Sequence, residues 1–283
     1  MSELRTRMHN DLLLRGMATR TRAAYIGAVA RLARHYGRSP ERISEREVQA
    51  YLLHLIQDKK LSWSTCSIAA HGLRFFYHTT LRRERTQFTI PAPKQPLRLS
   101  AILSREEVVR LFEATANQKH HTVLMTTYAA GLRVSEVVRL HLTDIDADRM
   151  SLRVEAGKGG KDRYTLLSPR LLEELRRYWR LCRPARWLFP GHGGAKPMDV
   201  TTAQKIYYAA RNRARIAKPG GIHALRHAFA THLLESGTDL HTIQRLLGDN
   251  HIGSTMRYLH LAQKSLMGNH SPLDLLDLPP RTS

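Results

Sequence analysis

Met150-Ser151-Leu152-Arg153-Val154-Glu155-Ala156-Gly157-Lys158-Gly159-Gly160-Lys161-Asp162-Arg163-Tyr164-Thr165-Leu166-Leu167 decides the fold class. Apolar and polar residues alternate on both flanks, and the middle is a basic, glycine-rich run. Alternation with a period of two bounded by turn residues predicts a β-hairpin. The segments around it read as helices. Ser168-Pro169 is an N-cap followed by proline at the first helical position, opening a helix to about Cys182. Asp199 opens another. His223 to Ser236 and Thr238 to Leu247 are each followed by a glycine, Gly237 and Gly248, in the left-handed cap position. Upstream, Ser104-Arg105-Glu106-Glu107 is a capping box whose helix continues through Val108, Leu111 and Phe112. A second helix covers about Thr122 to Ala130 and is stopped by Gly131. The fold class is mainly α with a small β-sheet.

Further towards the N-terminus lies Ile90-Pro91-Ala92-Pro93-Lys94-Gln95-Pro96, three prolines in six residues without periodicity, which marks an extended linker over 91–99. Before it, Thr19 to Tyr36 carries Tyr25, Val29, Leu32 and Tyr36 at helical spacing and is closed by Gly37. Ser44-Glu45-Arg46-Glu47 is a capping box for a helix with Val48, Tyr51, Leu52 and Leu55 inward. Ser62 or Ser64 opens a third helix with Ile68, Leu73, Phe75, Phe76 and Tyr77. Residues 1–90 therefore form a helical domain, residues 100–270 a second, α+β domain, and residues 271–283 a tail with Leu273, Leu275, Leu276 and Leu278 as docking points.

The chain has 283 residues, with 45 Lys and Arg against 24 Asp and Glu, a net charge of +21. Residues 1–97 hold 17 basic against 7 acidic side chains and residues 98–283 hold 28 against 17, so both halves are basic. Arginine outnumbers lysine, which favours forked contacts to phosphate. A polyanion, double-stranded DNA, is the expected partner. The exposed helix faces of the first domain carry Arg20, Arg22, Arg31, Arg34, Arg74, Arg82 and Arg83; Arg20, Arg22 and Arg74 are the candidate DNA contacts among them, with Lys161 from the hairpin. No apolar run spans a bilayer and no apolar segment follows Met1-Ser2-Glu3-Leu4-Arg5, so neither membrane nor secretion is expected. Two cysteines, Cys66 and Cys182, are too few for a disulfide framework, and a cytoplasm of bacterial type is the simplest compartment.

Four features of the second domain could carry chemistry. Arg133, within Gly131-Leu132-Arg133-Val134-Ser135-Glu136, sits at a predicted helix start, where free N–H groups add to its charge and make a phosphate site. Lys158 lies on the hairpin tip and can reach a groove. His223-Ala224-Leu225-Arg226-His227 places His223, Arg226 and His227 on one helix face. Two histidines at this spacing also suggest zinc, but Ala follows His223 and Arg226 would put a cation beside the metal, so anion binding fits better. Tyr258 stands ten residues after Gly248.

Together these features resemble the tyrosine recombinase/integrase family over nearly the whole chain. The resemblance implies a helical, SAM-like core-binding domain followed by a catalytic domain. It implies Arg133 and Arg226 as paired catalytic arginines, Lys158 as the hairpin lysine, His223 as the first active-site histidine and Tyr258 as the nucleophile. One position departs: the residue after the glycine of Leu246-Leu247-Gly248 is usually His or Trp and here is Asp249, with His251 two residues on. A carboxylate there would repel a phosphate unless protonated or turned away. Either His251 replaces the usual side chain or Asp249 weakens the site. The implied activity is site-specific DNA strand cleavage and rejoining through a 3′-phosphotyrosyl ester. The ester conserves bond energy, so neither ATP, metal nor another cofactor is expected. A homo-oligomer is implied, a tetramer on DNA, with the tail passed to a neighbour. The alternatives are a DNA-binding protein of this lineage that cannot cut, and a topoisomerase-like relaxer sharing the tyrosine chemistry.

Overall fold

The computed structural model describes residues 2–84, 101–155, 162–249, 252–256 and Tyr258. The chain divides into two units, Met1–Leu97 and Arg98–Ser283. Lys158, Lys161, His251, the expected linker and the expected tail lie outside the described residues.

The first unit is helical: α1 (Glu3–Leu14), α2 (Thr19–Tyr36), α3 (Glu45–Gln57) and α4 (Trp63–Phe75). Ser44 and Glu47 form the capping box expected of α3, and Ser62 rather than Ser64 caps α4. The core gathers Met8, Leu12, Leu32, Val48, Leu52 and Leu73, one stripe from each helix. Burying such a stripe is what holds short helices together. Two features escaped the periodicity. Helix α1 buries only Met8 and Leu12, leaving Leu13 and Leu14 exposed, so its pattern is faint. Beyond α4 the chain continues as a π-helical turn, Phe76–Thr80, which carries Phe76 and Tyr77 into the core, where Tyr77 Oη donates to Pro40 O at 2.7 Å. Ile68, expected inside, is exposed.

The arginines of this unit divide by role. Arg20, Arg31, Arg34 and Arg82 are exposed. Arg22 is half-buried and donates to Met17 O at 3.0 Å and to Thr19 Oγ1 at 3.1 Å. Arg74 is also half-buried. Arg83 donates to Glu41 O and Ile43 O and lies over the Tyr77 ring, so it fastens the fold rather than facing solvent.

The second unit contains α5 (Arg105–Glu113), α6 (Gln118–Ala129), α7 (Val134–Val137), β1 (Ile145–Asp146), β2 (Ser151–Val154), β3 (Arg163–Leu166), α8 (Pro169–Cys182), α9 (Val200–Arg213), α10 (His223–Glu235), α11 (Leu240–Leu247) and α12 (Ile252–Met256). The expected hairpin is β2–β3, and β1 extends it to an antiparallel sheet ordered β1-β2-β3, with Leu152 opposite Thr165 and Ile145 opposite Leu152. At two residues, β1 is too short to show alternation. Ser104, Ser168, Asp199 and Asp239 cap their helices as side-chain acceptors.

Helix α10 crosses the middle of this unit, with Leu225, Arg226, Ala228, Phe229 and Ala230 all buried. Gly131, at φ +59°, turns the chain beneath it, and an added Cβ would lie 2.4 Å from Phe229 Cδ1. Only glycine meets both the left-handed backbone and the close approach. Helix α11 ends at Gly248, also left-handed at φ +63°, where a Cβ would meet Arg163 Cδ at 2.5 Å. These two turns bring Arg133, Arg226, Asp249 and Arg163 to one place.

Candidate active site

Arg133 precedes α7, and α7 is only four residues long. Arg133 thus stands at a helix start as expected, although so short a helix adds little dipole of its own. The Arg133 guanidinium itself makes the site. Its Nη1 donates to Glu136 Oε1 at 2.8 Å and its Nη2 to Asp249 Oδ1 at 2.7 Å. Glu136 also accepts from the backbone N–H of Arg133 at 2.7 Å. A cleft of about 540 Å³ opens beside Arg133 between Ser135, Arg139, His141 and Trp187.

Arg226 is 5 % exposed. Its Nη1 donates to Gly131 O at 2.7 Å, and its Nη2 to Leu247 O at 2.8 Å and to Asp249 Oδ1 at 3.0 Å. The carbonyls of the two glycine turns thus orient the fork. Burial, reinforced by the nearby Arg133, pulls this guanidinium down to about 10, against the opposing pull of Glu136 and Asp249. It still carries its charge at neutral pH.

Both guanidiniums therefore converge on one carboxylate oxygen. The sequence left open whether His251 replaces the usual side chain or Asp249 weakens the site; the Asp249 carboxylate is turned into the seat, with a side chain 12 % exposed. Its backbone is fixed by Asp249 N donating to Gln244 O at 3.2 Å and Gln244 Nε2 donating to Asp249 O at 3.0 Å. Thr255 Oγ1 on α12 lies 3.5 Å from Asp249 Oδ2.

Two residues beneath the seat carried no assignment from sequence. Glu136 accepts a forked pair from Arg163, Nη1 to Oε1 and Nη2 to Oε2, each at 2.8 Å. Arg163 Nε donates to Leu246 O at 3.0 Å, tying β3 to the end of α11. Burial pushes the Glu136 carboxyl up, but the bonds and charges of Arg163 and Arg133 outweigh it and hold the group down at about 2. The only sequence signal was Glu136 three residues after Arg133; nothing distinguished Arg163 from the other arginines.

His223 stands at the first residue of α10 with its edge in solvent. The surrounding protein disfavours its charged form, and Arg226 and Arg133 add to that, so its pKa is lowered and the imidazole is neutral at pH 7. Tyr258 was expected inside the cationic nest. Its ring is instead 2 % exposed, in an apolar cluster with Phe229, Leu234, Ile243 and Leu247. Its hydroxyl lies 3.0 Å from His227 Nδ1. The structure therefore brings Arg133, Arg226 and Asp249 together, sets His223 and His227 one helical turn apart beside them, and buries the phenol. Among the described residues no group of three or more His, Cys, Asp or Glu side chains is placed to share a metal ion, and no helix is long and apolar enough to cross a membrane.

Residues 101–265 match the phage integrase family, and residues 4–87 match its N-terminal SAM-like domain. An integrase/recombinase of Sinorhizobium fredii is 43 % identical over 283 residues, covering 100 % of this chain and 92 % of the relative. The tyrosine recombinase XerD of Rhizobium meliloti is 33 % identical, with 81 % of each chain covered. Among solved structures, the XerA recombinase is similar at 25 % identity and a TM-score of 0.56, covering 94 % of this chain and 95 % of that one. A lambda integrase tetramer bound to a Holliday junction shares the fold, with a TM-score of 0.72 at 18 % identity over 88 % of this chain and 75 % of the other. With a family match over more than half its length and a relative 43 % identical across the whole chain, this chain belongs to the phage integrase family, the tyrosine recombinases.

Proposed function

We propose that the protein is a site-specific DNA recombinase that cuts and rejoins strands through Tyr258. One observation carries the reading: the guanidiniums of Arg133 and Arg226 meet at a single anionic oxygen, 2.7 and 3.0 Å away. The Asp249 carboxylate oxygen stands where a non-bridging phosphate oxygen would sit. Attack on phosphorus builds charge on such oxygens, and fixed donors aimed at them supply the largest share of rate enhancement.

In this reading Arg133 and Arg226 clamp the scissile phosphate and neutral His223 donates a further hydrogen bond. Tyr258 attacks, and Lys158, from the hairpin tip, protonates the leaving 5′ oxygen. The phosphate must first displace Asp249, and the turn bearing Tyr258 must expose its phenol. His251 in the role of the usual histidine is the alternative to Asp249. Arg20, Arg22, Arg74 and Lys161 contribute backbone contacts; Arg20 is the best placed, being exposed, whereas Arg22 and Arg74 are half-buried. Residues 1–90 act as the core-binding domain, 91–99 as linker, 100–270 as catalytic domain and 271–283 as an exchanged tail. Assembly as a tetramer on double-stranded DNA is supported by the fold shared with the lambda integrase tetramer. A bacterial cytoplasm is the proposed compartment.

The test is covalent adduct formation on nicked suicide DNA. The unsubstituted protein forms the adduct and Tyr258→Phe does not; an undiminished adduct in Tyr258→Phe removes Tyr258 as nucleophile. The binding-only reading has one observation in its favour, Asp249 filling the seat, and gains if the unsubstituted protein binds DNA without forming any adduct.

A further inference from the structure

We propose that His227 is a catalytic residue: its imidazole takes the phenolic proton of Tyr258 as the hydroxyl attacks, and returns it on rejoining. The inference rests on Tyr258 being the nucleophile, and assigns a role to a side chain outside the set the family resemblance supplies.

The geometry comes first. His227 Nδ1 and Tyr258 Oη are 3.0 Å apart, within hydrogen-bond reach, and the ring centroids are 5.8 Å apart. Proton abstraction requires this reach. The imidazole is half-buried on α10, between the buried Arg226 and Ala228. The Arg226 side chain is tied to two backbone carbonyls and Asp249, so the helix is anchored at the residue beside His227. Consecutive Cα atoms are about 3.8 Å apart. The phosphate clamp and the imidazole therefore sit on adjacent residues of one anchored helix.

The chemistry follows. A phenol with an ordinary pKa of about 10 is protonated at neutral pH and is a weak nucleophile until the proton has somewhere to go. Imidazole, titrating near about 6.5, is the side chain suited to receive it. His223 faces a different group, since it lies one turn earlier on α10 and the charges acting on it are those of Arg226, Arg133 and Glu136. One histidine thus serves the phosphate and the other the nucleophile. In the forward step the Tyr258 Oη–phosphorus bond forms, the phosphorus–O5′ bond breaks, the phenolic proton passes to His227 Nδ1, and the 5′ oxygen takes a proton from the general acid, Lys158 in the reading above. Rejoining runs each transfer backwards.

The experiment measures single-turnover adduct formation on nicked suicide DNA against pH for the full chain, His227→Ala and His227→Asn, with melting temperature and DNA affinity measured alongside. His227→Ala is expected to slow adduct formation by about 10²- to 10⁴-fold, to flatten the acidic limb of the pH profile and to recover in part with added imidazole. His227→Asn, which can still hydrogen-bond but not accept the proton, stays slow. On DNA with a 5′-bridging sulfur, whose leaving group needs no acid, the His227→Ala defect persists while a Lys158→Ala defect is relieved. Full activity in His227→Asn reduces His227 to a hydrogen-bond partner and overturns the proposal. A faster rate in His227→Ala also overturns it, by showing that the contact only parks the phenol. No adduct with the unsubstituted protein defeats the nucleophile reading itself, distinct from adduct formed equally well with and without His227.

Discussion

Asp249→Asn should activate the enzyme while destabilising it, and the two effects share one cause. The carboxylate accepts from Arg133 at 2.7 Å and from Arg226 at 3.0 Å through the same oxygen. Each bond joins a cation to an anion, and asparagine would leave a cation bonded to a neutral carbonyl, at a loss of about 1 kcal/mol per bond. Asparagine keeps the shape and weakens each bond, so two such changes make the occupant of the seat easier to displace by roughly 2 kcal/mol, about 30-fold. It also removes the repulsion between Asp249 and an arriving phosphate, which adds in the same direction. In the DNA-free protein the same loss leaves two guanidiniums facing each other with less compensation. The melting temperature of the second unit should fall by several degrees at about 2–4 °C per kcal/mol, and sulfate should restore it more in Asp249→Asn than in the unsubstituted protein. The assay is adduct formation on nicked suicide DNA below saturation, with melting curves in parallel. Asp249→Ala should behave alike. If both variants form adduct more slowly while melting unchanged, Asp249 assists the phosphate rather than standing in for it, and the displacement argument fails.

Arg226→Lys cannot serve Gly131 O, Leu247 O and an anion together, so adduct formation should fall by about 10²-fold or more, measured at saturating DNA to separate it from binding. Gly131→Ala places a Cβ 2.4 Å from Phe229 Cδ1 on a left-handed backbone; it should lower stability by about 1–3 kcal/mol, read by urea unfolding, and an unchanged midpoint would contradict the packing described. Glu136, ordinarily near 4.5 and held down at about 2 in the fold, contributes stability that is complete above its unfolded value and is lost as pH falls towards 2. The shift corresponds to about 3 kcal/mol, so unfolding between pH 5 and 2 should steepen in the native chain and flatten in Glu136→Gln, which is weaker at pH 7 because Arg163 loses its partner. DNA affinity should drop about a thousandfold or more between 50 and 200 mM salt if about six phosphates are neutralised; a flat response in a filter-binding titration would remove the arginine faces from the interface.

What was legible in the sequence was local. Ser44, Ser104, Ser168, Asp199 and the hairpin announce themselves within four residues or by strict alternation, and each appears in the structure where expected. Helix α1, strand β1 and α12 were missed because a faint stripe, two residues and five residues carry too little periodic signal. Arg133 and Arg226 could be picked out by motif, but their convergence depends on partners far along the chain: Arg163 beneath Glu136 and the Gly131 and Leu247 carbonyls on Arg226. Sequence spacing holds no record of those contacts.

Asp249 shows most plainly what local reading omits. Considered beside a phosphate, an acidic residue looks like a defect, since like charges repel. Considered in the protein without DNA, it answers a different demand. Two guanidiniums, one of them 5 % exposed, cannot be left in a poorly solvated pocket without a counter-charge, because an unpaired buried ion costs several kcal/mol. The stronger the seat is made for a transition-state oxyanion, the more the empty seat needs an anion of its own. A neutral histidine or tryptophan at this position would leave Glu136, already shared with Arg163, as the nearby carboxylate, and the rest of that demand to solvent and bound ions. Asp249 meets it from within the chain, so the same cationic field that would hold the scissile phosphate also sets the barrier that the phosphate has to overcome on arrival.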